Sequence, residues 1–254
     1  MRFIYYKLLP KRFRSISMYC YRFYFSRSFC DVDKEIKLFN IFLGRKGATA
    51  IDIGANVGNW SYVLSRLFNK VIAFEPQTEL TRPLHDYGPT NIIINNIALS
   101  KQNGELKLHI PLYDNIPYPG CATFRNITGL YTSKIVPVRR LDDYNFTDVD
   151  LIKIDVEGYE QDVIDGAAET IISNKPILIV EIEQRYHDYP IENIVNKICK
   201  FGYDAYFLFN GERLPFKKFS YEIHQAPFIE ALLPDPKRYS NNFLFIPYAK
   251  TEIL

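Results

Sequence analysis

Short apolar segments alternate along the chain between a strand pattern and a helix pattern, and this alternation restricts the fold more than any other feature. Short, predominantly apolar segments predict strands over residues 48–53, 71–74, 91–97, 151–154, 177–182, 203–209 and 243–246. Between the first two runs, apolar residues recur at helical spacing at Trp60, Val63, Leu64, Leu67 and Phe68. Strands that are apolar on both faces belong to parallel sheets covered by helices. The sequence therefore predicts a doubly wound α/β domain.

Other segments continue the helical pattern. One apolar stripe covers residues 163–171, and another covers residues 191–199 and ends at Gly202. Upstream, Asp31 is suited to cap a helix that ends near Gly44. We expect these helices to cover the sheet.

Two stretches interrupt the alternation. Residues 104–110 and 134–140 have the pattern of half-buried strands and predict an inserted β-hairpin. The segment between them, 111–133, is rich in Pro, Gly and Asn and is too long for a simple connection. Long loops of this kind in compact domains are often functional. We therefore expect this segment to form a mobile lid over a bound ligand. Residues 210–235 form a second irregular stretch.

The turn after the first predicted strand has the composition of a ligand-binding loop. Gly54 and Gly58 permit a tight turn and a close approach between strand and helix. Asp52 lies near the end of the strand, and Glu75 ends the next strand 23 residues later. That spacing is typical of a carboxylate that binds ribose hydroxyls. In doubly wound sheets, ligands bind at this carboxyl edge.

The loop differs from a dinucleotide fingerprint in a way that bears on the ligand. A G-x-G-x-x-G motif that starts at Gly54 needs glycine at two positions occupied by Asn56 and Asn59. The second glycine lets the backbone approach a pyrophosphate. The pattern therefore favours a nucleoside without phosphates, such as S-adenosylmethionine. The alternative is a generic turn with capping asparagines.

These residues resemble the FkbM-type methyltransferase family, a branch of the S-adenosylmethionine-dependent Rossmann-like enzymes. The resemblance covers about residues 48–247, and the matching blocks are AIDIGANVGNWS, FEP, NNIALS, LDDY, LIKIDVEGYEQDVIDG, VEIE and NNFLFIP. It implies a seven-stranded, mostly parallel sheet with an antiparallel last strand. It also implies methyl transfer, commonly to an oxygen of a sugar or natural product.

The resemblance implies a cofactor site, residue by residue. The matching positions are Asp52, Gly54, Asn56, Gly58, Glu75, Asn96, Ala98 and Asp155. The first four correspond to the loop around the methionine part of the cofactor, and Glu75 corresponds to the ribose-binding acid. Asn96 and Ala98 correspond to the segment that borders the adenine.

Methyl transfer to a hydroxyl also calls for a general base. The candidate catalytic residues lie at or beyond the carboxyl ends of the fourth and fifth predicted strands and are Asp155, Glu157, Glu181 and His187, with Glu160 and Glu183 nearby. Acids clustered in a partly dry cleft repel one another, which raises some of their pKa values. The alternatives are that Glu160 caps its helix, that His187 faces solvent, and that Lys153 ends a buried strand in an ion pair.

Charge is distributed unevenly along the chain. Residues 1–30 contain seven basic side chains, ten aromatic residues and no acidic residue, and the remaining 224 residues carry 24 basic and 29 acidic groups. Such a segment is suited to pack on the main domain or to lie on an anionic membrane surface. Nucleic acid binding is disfavoured because the rest of the chain is net acidic. We expect residues 1–47 to form a basic, aromatic extension and residues 48–254 to form the catalytic domain.

The cysteines bear on the compartment. Cys20, Cys30, Cys121 and Cys199 are widely separated, which predicts no metal site and no disulfide framework. Charges interrupt the start of the chain too often for a signal peptide. We expect a cytoplasmic protein, with peripheral contact to the inner membrane surface through residues 1–30.

The leading interpretation is an S-adenosylmethionine-dependent O-methyltransferase that acts on a sugar, a glycan or a related small molecule. N-methylation of an amine or a peptide is the alternative among enzymes, and it needs no strong base. A cofactor-binding, membrane-associated module without turnover is the alternative outside enzymes.

Overall fold

The fold is described from a computed structural model, in residues 46–228 and 238–249. The predicted helix between Asp31 and Gly44 lies outside these residues, as does nearly all of the predicted extension over residues 1–47. Within the described ranges, no helix is both long enough and apolar enough to cross a membrane.

Twelve strands occur in the described residues. In chain order they are β1 (Gly47–Ile53), β2 (Phe68–Phe74), β3 (Ile92–Asn95), β4 (Ala98–Leu99), β5 (Gly104–Tyr113), β6 (Ile116–Pro117), β7 (Tyr131–Arg139), β8 (Val149–Ile154), β9 (Ile177–Glu181), β10 (Tyr203–Phe209), β11 (Glu212–Pro215) and β12 (Asn242–Pro247).

Eight of these strands form the main sheet, in the order β11-β10-β12-β9-β8-β1-β2-β3. β1 pairs in parallel with β2 and β8, and the parallel pairing continues from β2 to β3 and from β8 to β9. β12 is antiparallel to both of its neighbours, β9 and β10. The predicted Rossmann-like sheet with an antiparallel last strand is confirmed.

The main sheet has one strand more than the seven predicted. The additional strand is β11, which pairs with β10 across a two-residue turn. The turn residues Asn210 and Gly211 have φ angles of 52° and 81°, the left-handed geometry that tight hairpins require. β11 has the sequence ERLP, which contains no apolar run. Hydrophobic pattern therefore gives no sign of it.

Six α-helices are present in the same residues. They are α1 (Asn59–Leu67), α2 (Thr78–Tyr87), α3 (Glu160–Asp165), α4 (Ala168–Asn174), α5 (Glu192–Lys200) and α6 (Tyr221–His224).

Two helix predictions need correction. Phe68, predicted as the last member of a helical stripe, is the first residue of β2, although it is fully buried as the stripe implies. The predicted helix over residues 163–171 is split into α3 and α4. Gly166 lies at the break, packed so closely that an added Cβ would come within 2.0 Å of the Ser100 carbonyl oxygen. Such an approach leaves no room for a side chain at this position.

The core lies on both faces of the central strands. Ile51 and Ile53 of β1 belong to a buried cluster on one face, whereas Ala50 belongs to a cluster on the other. The same alternation separates Ile152 from Leu151 in β8. Burying an isoleucine or leucine side chain stabilises a fold by about 1.5–3 kcal/mol. Burial on both faces explains why these strands are predominantly apolar instead of alternating between apolar and polar residues.

A second, four-stranded sheet has the order β4-β7-β5-β6. β5 and β7 pair in antiparallel register along most of their length, which confirms the predicted inserted hairpin. Its inner face packs through a small apolar cluster of Ala98, Leu108, Val136 and Val138. We call strands β5 to β7 and their connections the insert.

Candidate active site

A cavity lies at the carboxyl edge of the main sheet, beneath the insert. Its volume is about 730 Å³, including the part that is open to solvent. The polar or charged side chains that line the cavity are Asn56, Glu75, Gln77, Asp155, Glu157 and Glu181. Among the described residues, no lysine or arginine is part of the lining.

The turn between β1 and α1 lines the cavity between the Glu75 end and the Asp155 end, because β1 lies between β2 and β8 in the main sheet. Gly54 has a φ of 79° and approaches β8 so closely that a Cβ would lie 1.7 Å from the Asp155 carbonyl oxygen. Asn56 also has left-handed geometry, with a φ of 51°. Gly58, at a φ of 90°, precedes α1 and packs against Leu84, away from the cavity lining. The two glycines therefore serve close packing, as the sequence indicates.

Glu75 follows β2 at the wall of the cavity and is almost completely buried. Its carboxylate accepts hydrogen bonds from the backbone N–H groups of Asn56, at 3.0 Å, and Gln77, at 2.9 Å. Burial raises the pKa of Glu75 to about 7, although both hydrogen bonds oppose the shift. The two bonds fix the orientation of the carboxylate.

Gln77 also lines the cavity, although it is not among the predicted site residues. Its side chain is 3% exposed, and its Nε2 donates to the Pro119 carbonyl oxygen of the insert at 3.0 Å. Its Oε1 is buried and has no hydrogen-bond partner among the described residues. A buried amide oxygen without a partner is costly, which points to a donor supplied by a ligand. No feature of the sequence distinguishes Gln77 from a surface glutamine.

Three further residues predicted to bind the cofactor differ in whether they line the cavity. Ala98 lines the cavity, as expected. Asp52 is buried behind the lining, where it accepts a hydrogen bond of 2.5 Å from the Ser61 hydroxyl, and burial raises its pKa to about 6. Asn96 is also outside the lining. Its Nδ2 donates to the Glu75 carbonyl oxygen, at 3.0 Å, and to the Thr81 hydroxyl, at 2.9 Å.

Three acids line the other end of the cavity, and a buried lysine lies between two of them. Lys153 has no exposed side-chain surface, and its Nζ lies 3.6 Å from Asp155 Oδ2 and 3.7 Å from Glu181 Oε2. The same amine donates to Asn242 Oδ1 at 3.0 Å. Burial, followed by the charge of Asp155, raises the pKa of Glu181 well above its ordinary value despite the lysine. Asn241 donates to Glu181 Oε1 at 2.6 Å.

Glu157 completes the acidic end and has an unusual backbone. Its φ of 48° lies in the left-handed region, which non-glycine residues seldom occupy. The Thr123 hydroxyl of the insert donates to its carbonyl oxygen at 2.6 Å, and Tyr186 hydrogen-bonds to its side chain. Burial, followed by the charge of Asp155, raises the pKa of Glu157 to about 8. Such strain at a cavity is typical of functional sites.

The structure does not bring His187 to the cavity. The imidazole is buried, and its Nε2 lies 3.0 Å from Oε2 of Glu160. Glu160 in turn accepts the Gly158 N–H at 2.8 Å, close to the predicted capping role. Glu183 is also outside the lining and is bound by Arg185 and Tyr239. The sequence places His187 beyond the end of β9, but the short 3₁₀ helix Gln184–Tyr186 turns it away from the cavity.

The insert forms the roof of the cavity. Pro119, Gly120, Ala122 and Phe124, which all lie in the segment 111–133, line it. The expected contact of this segment with the cleft is therefore present, and its movement as a lid stays a prediction. In residues 46–228 and 238–249, no group of three or more potential metal ligands comes together.

Several solved structures are similar to this chain. Methyltransferase FkbM from Methylobacillus flagellatus KT is 17% identical, with a TM-score of 0.49, over 81% of this chain and 45% of that one. The present chain thus spans less than half the length of that protein. An rRNA methylase from Streptococcus thermophilus is 12% identical over 84% and 90% of the two chains, with a TM-score of 0.43. A DhpI–SAH complex is 9% identical over 97% and 95%, with a TM-score of 0.41.

Sequence comparison is more decisive about the family. No curated protein sequence matches the chain significantly. A model of the methyltransferase FkbM domain matches residues 52–205, which is more than half of the 254 residues. The chain therefore belongs to the FkbM methyltransferase family, as its sequence motifs predict.

Proposed function

We propose that this methyltransferase uses S-adenosylmethionine and transfers its methyl group to a hydroxyl of a sugar, a glycan or a related small molecule. The observation that carries the proposal is the pairing, in one cavity, of a backbone-held carboxylate, Glu75, with an acidic cluster that contains Glu157. The backbone-held carboxylate suits the binding of a nucleoside, and the acidic cluster suits the removal of a proton from the acceptor hydroxyl.

The residues at the Glu75 end fit the cofactor. A carboxylate fixed by two N–H groups keeps acceptor capacity for the two ribose hydroxyls. The unpartnered Oε1 of Gln77 suits the amino group of an adenine. The absence of lysine and arginine from the described lining fits a ligand without phosphates. We therefore assign Glu75 and Gln77 to the nucleoside, and the Gly54 turn to the methionine part.

The acidic end supplies the chemistry that the chain itself contributes. When bound, S-adenosylmethionine supplies a methyl group already activated on a sulfonium. The protein orients the acceptor, an effect that can be worth about 7–11 kcal/mol. A pKa near 8 suits Glu157 to take the proton from an acceptor hydroxyl at neutral pH. Lys153 places a positive charge beside Asp155 and Glu181, so these two acids share a counter-charge.

A matched panel of compounds tests which kind of acceptor atom receives the methyl group. The purified protein is incubated with methyl-labelled cofactor, neutral glycosides and the corresponding amino sugars, and the products are identified by mass spectrometry. The proposal expects label on oxygen in the glycosides, with transfer that depends on Glu157. Label on nitrogen alone, with no effect of Glu157→Gln, supports the N-methyltransferase alternative. Cofactor binding without any transfer, to these acceptors or to fractionated cell glycans, supports a non-catalytic module.

A further inference from the structure

Large exposed apolar side chains are concentrated on the insert. Of ten such side chains in the described residues, six belong to the insert, and the other four, Ile93, Ile172, Ile223 and Tyr248, lie in separate elements. Scattered exposed apolar residues are normal, whereas a contiguous patch marks a contact surface. We call Tyr113, Ile116, Tyr118, Leu130 and Tyr131 the tip patch.

Three residues of the tip patch, Tyr113, Ile116 and Tyr131, occupy pairing positions on one face of the insert, because side chains alternate between the two faces along a strand. Tyr113 and Ile116 face each other across the two-residue turn that joins β5 to β6, and the rings of Tyr113 and Tyr118 are 5.3 Å apart. Leu130 lies at the same end of the hairpin, where its carbonyl oxygen accepts the Leu112 N–H at 2.9 Å, but its position next to Tyr131 in the chain assigns its side chain to the opposite face. Tyr131 pairs with Pro111 in the same ladder. The patch is thus held by a hydrogen-bonded hairpin.

We propose that the tip patch docks on an anionic membrane surface. Tyrosine suits the boundary between headgroups and acyl chains because its ring is apolar and its hydroxyl is polar. Over the 21 residues from 111 to 131, only Asp114 and Arg125 are charged, so few charges oppose partial insertion. The side chains of the patch are 41–67% exposed and available for contact.

Charge complementarity favours lipid over other occupants. A small apolar patch binds a membrane weakly, and stable attachment takes a second signal. The chain has such a second signal in residues 1–30, because seven basic side chains and no acidic residue suit this segment to anionic headgroups. The remaining residues are net acidic, with 24 basic and 29 acidic groups. Attraction to anionic lipid is therefore concentrated in that segment, and the tip patch adds the apolar contact.

Docking at the tip patch also involves the cavity. Tyr118 is followed directly by Pro119 and Gly120, which line the roof, and Pro119 is hydrogen-bonded to Gln77. A membrane against the patch therefore lies next to the segment that covers the site. The docking itself does not depend on the proposed reaction.

The test measures vesicle binding of the full chain. Vesicles of phosphatidylcholine containing phosphatidylglycerol, and vesicles of phosphatidylcholine alone, are sedimented with wild type, with Tyr113→Ser/Ile116→Ser/Tyr118→Ser, and with Ile172→Ser/Ile223→Ser. The last variant is the matched control, because its side chains are similarly exposed, at 48% and 58%, but lie outside the insert. We expect wild type and control to bind the anionic vesicles, and the tip variant to bind about tenfold less.

Other outcomes would overturn the proposal. Two results of the vesicle assay do so: equal binding of the tip variant and wild type, or no binding of wild type to anionic vesicles. A third is a dimer that analytical ultracentrifugation detects in wild type but not in the tip variant, in a protein that does not bind vesicles. Circular dichroism checks the folding of each variant, and Tyr113→Ser, at a position 60% exposed, replaces the triple variant if that variant is unfolded. Calorimetric titration with S-adenosylmethionine separates this result from the proposed function, since the tip patch lies outside the cavity lining.

Discussion

At the scale of single residues, the acids of the cavity differ in what surrounds them. Asp155 and Glu181 lie within 3.7 Å of the buried Lys153 amine, whereas Glu157 is held by Tyr186 and by its own strained backbone. A carboxyl group with a pKa near 8 is partly ionised at neutral pH, which suits a general base. We therefore assign proton removal to Glu157.

This assignment predicts a pH profile. In wild type, kcat/KM should rise with pH through about 8, because Glu157 is active only when it has lost its proton. Glu157→Gln should lower kcat by about 10²–10⁴ and leave the affinity for S-adenosylmethionine unchanged. Steady-state kinetics between mildly acidic and alkaline pH, with calorimetry of the cofactor, measure both.

Glu183→Gln is the matched control for this profile. Glu183 lies outside the cavity lining, and its charge contributes to the raised pKa of Glu157. Its neutralisation should move the acidic limb of the profile to lower pH without removing it. An unaltered limb in Glu157→Gln would contradict the assignment of the base.

Sequence identified most of these residues and missed those that depend on tertiary contact. Glu75, Asp155, Glu157 and Glu181 lie at or just beyond the ends of predicted strands, and the ends of neighbouring parallel strands meet at one edge. Gln77 is set by its contact with Pro119, 42 residues away in sequence, which no local pattern reveals. Strand-end reasoning also fails for His187, since the chain turns before reaching it.

At the scale of elements, the turn between β1 and α1 is restricted by both conformation and contact. Gly54 combines a φ of 79° with a space in which a Cβ would lie 1.7 Å from the Asp155 backbone, just beyond β8. Gly129, in the insert, has a similar φ of 89°, but a Cβ there would have no neighbouring atom within 4 Å. Alanine substitutions at these two glycines therefore separate the cost of left-handed backbone geometry from the cost of a steric clash between the added Cβ and the Asp155 backbone.

Gly54→Ala should therefore destabilise the protein much more than Gly129→Ala. The left-handed conformation alone costs an alanine about 1–2 kcal/mol, and the displacement of backbone at Gly54 should bring the total to about 4 kcal/mol or more. Urea unfolding of both variants gives the two free energies. Equal losses would mean that β8 moves freely away from the turn.

Helices and strands with a strong apolar sequence pattern were predictable, whereas those whose limits depend on contacts with distant segments were not. The span 203–209 corresponds to β10 residue for residue, because six of its seven residues are apolar or aromatic, a composition typical of strands. The separation of α3 from α4 follows from the packing of Gly166 on Ser100, which is a contact between distant segments. β11 depends on its hairpin with β10 rather than on its own composition.

At the scale of the whole molecule, the fold gathers buried carboxyl groups around one cavity. The pKa values of Asp52, Glu75, Glu157 and Glu181 are all raised, in each case chiefly by burial. A carboxyl whose pKa rises on folding binds more protons in the folded state than in the unfolded state. Stability then falls as pH rises between the unfolded and the folded pKa values.

Glu75 should contribute measurably to this dependence. Its pKa rises from 4.5 to about 7, so ionisation opposes folding across that interval. Between about pH 5.5 and about pH 8, wild type should lose about 2 kcal/mol of unfolding free energy relative to Glu75→Gln. Urea unfolding at the two pH values measures the difference. If both proteins respond alike to pH, the raised pKa of Glu75 is wrong.

The central claim is that the cavity binds S-adenosylmethionine through Glu75, and calorimetric titration of wild type and Glu75→Ala with this cofactor tests it most directly. We predict one binding site in wild type and an affinity at least about a hundredfold lower in the variant, since a charged hydrogen-bonding group is lost from a buried site. Circular dichroism should show that the variant remains folded. Equal affinities, or no binding of S-adenosylmethionine to wild type, would contradict the account.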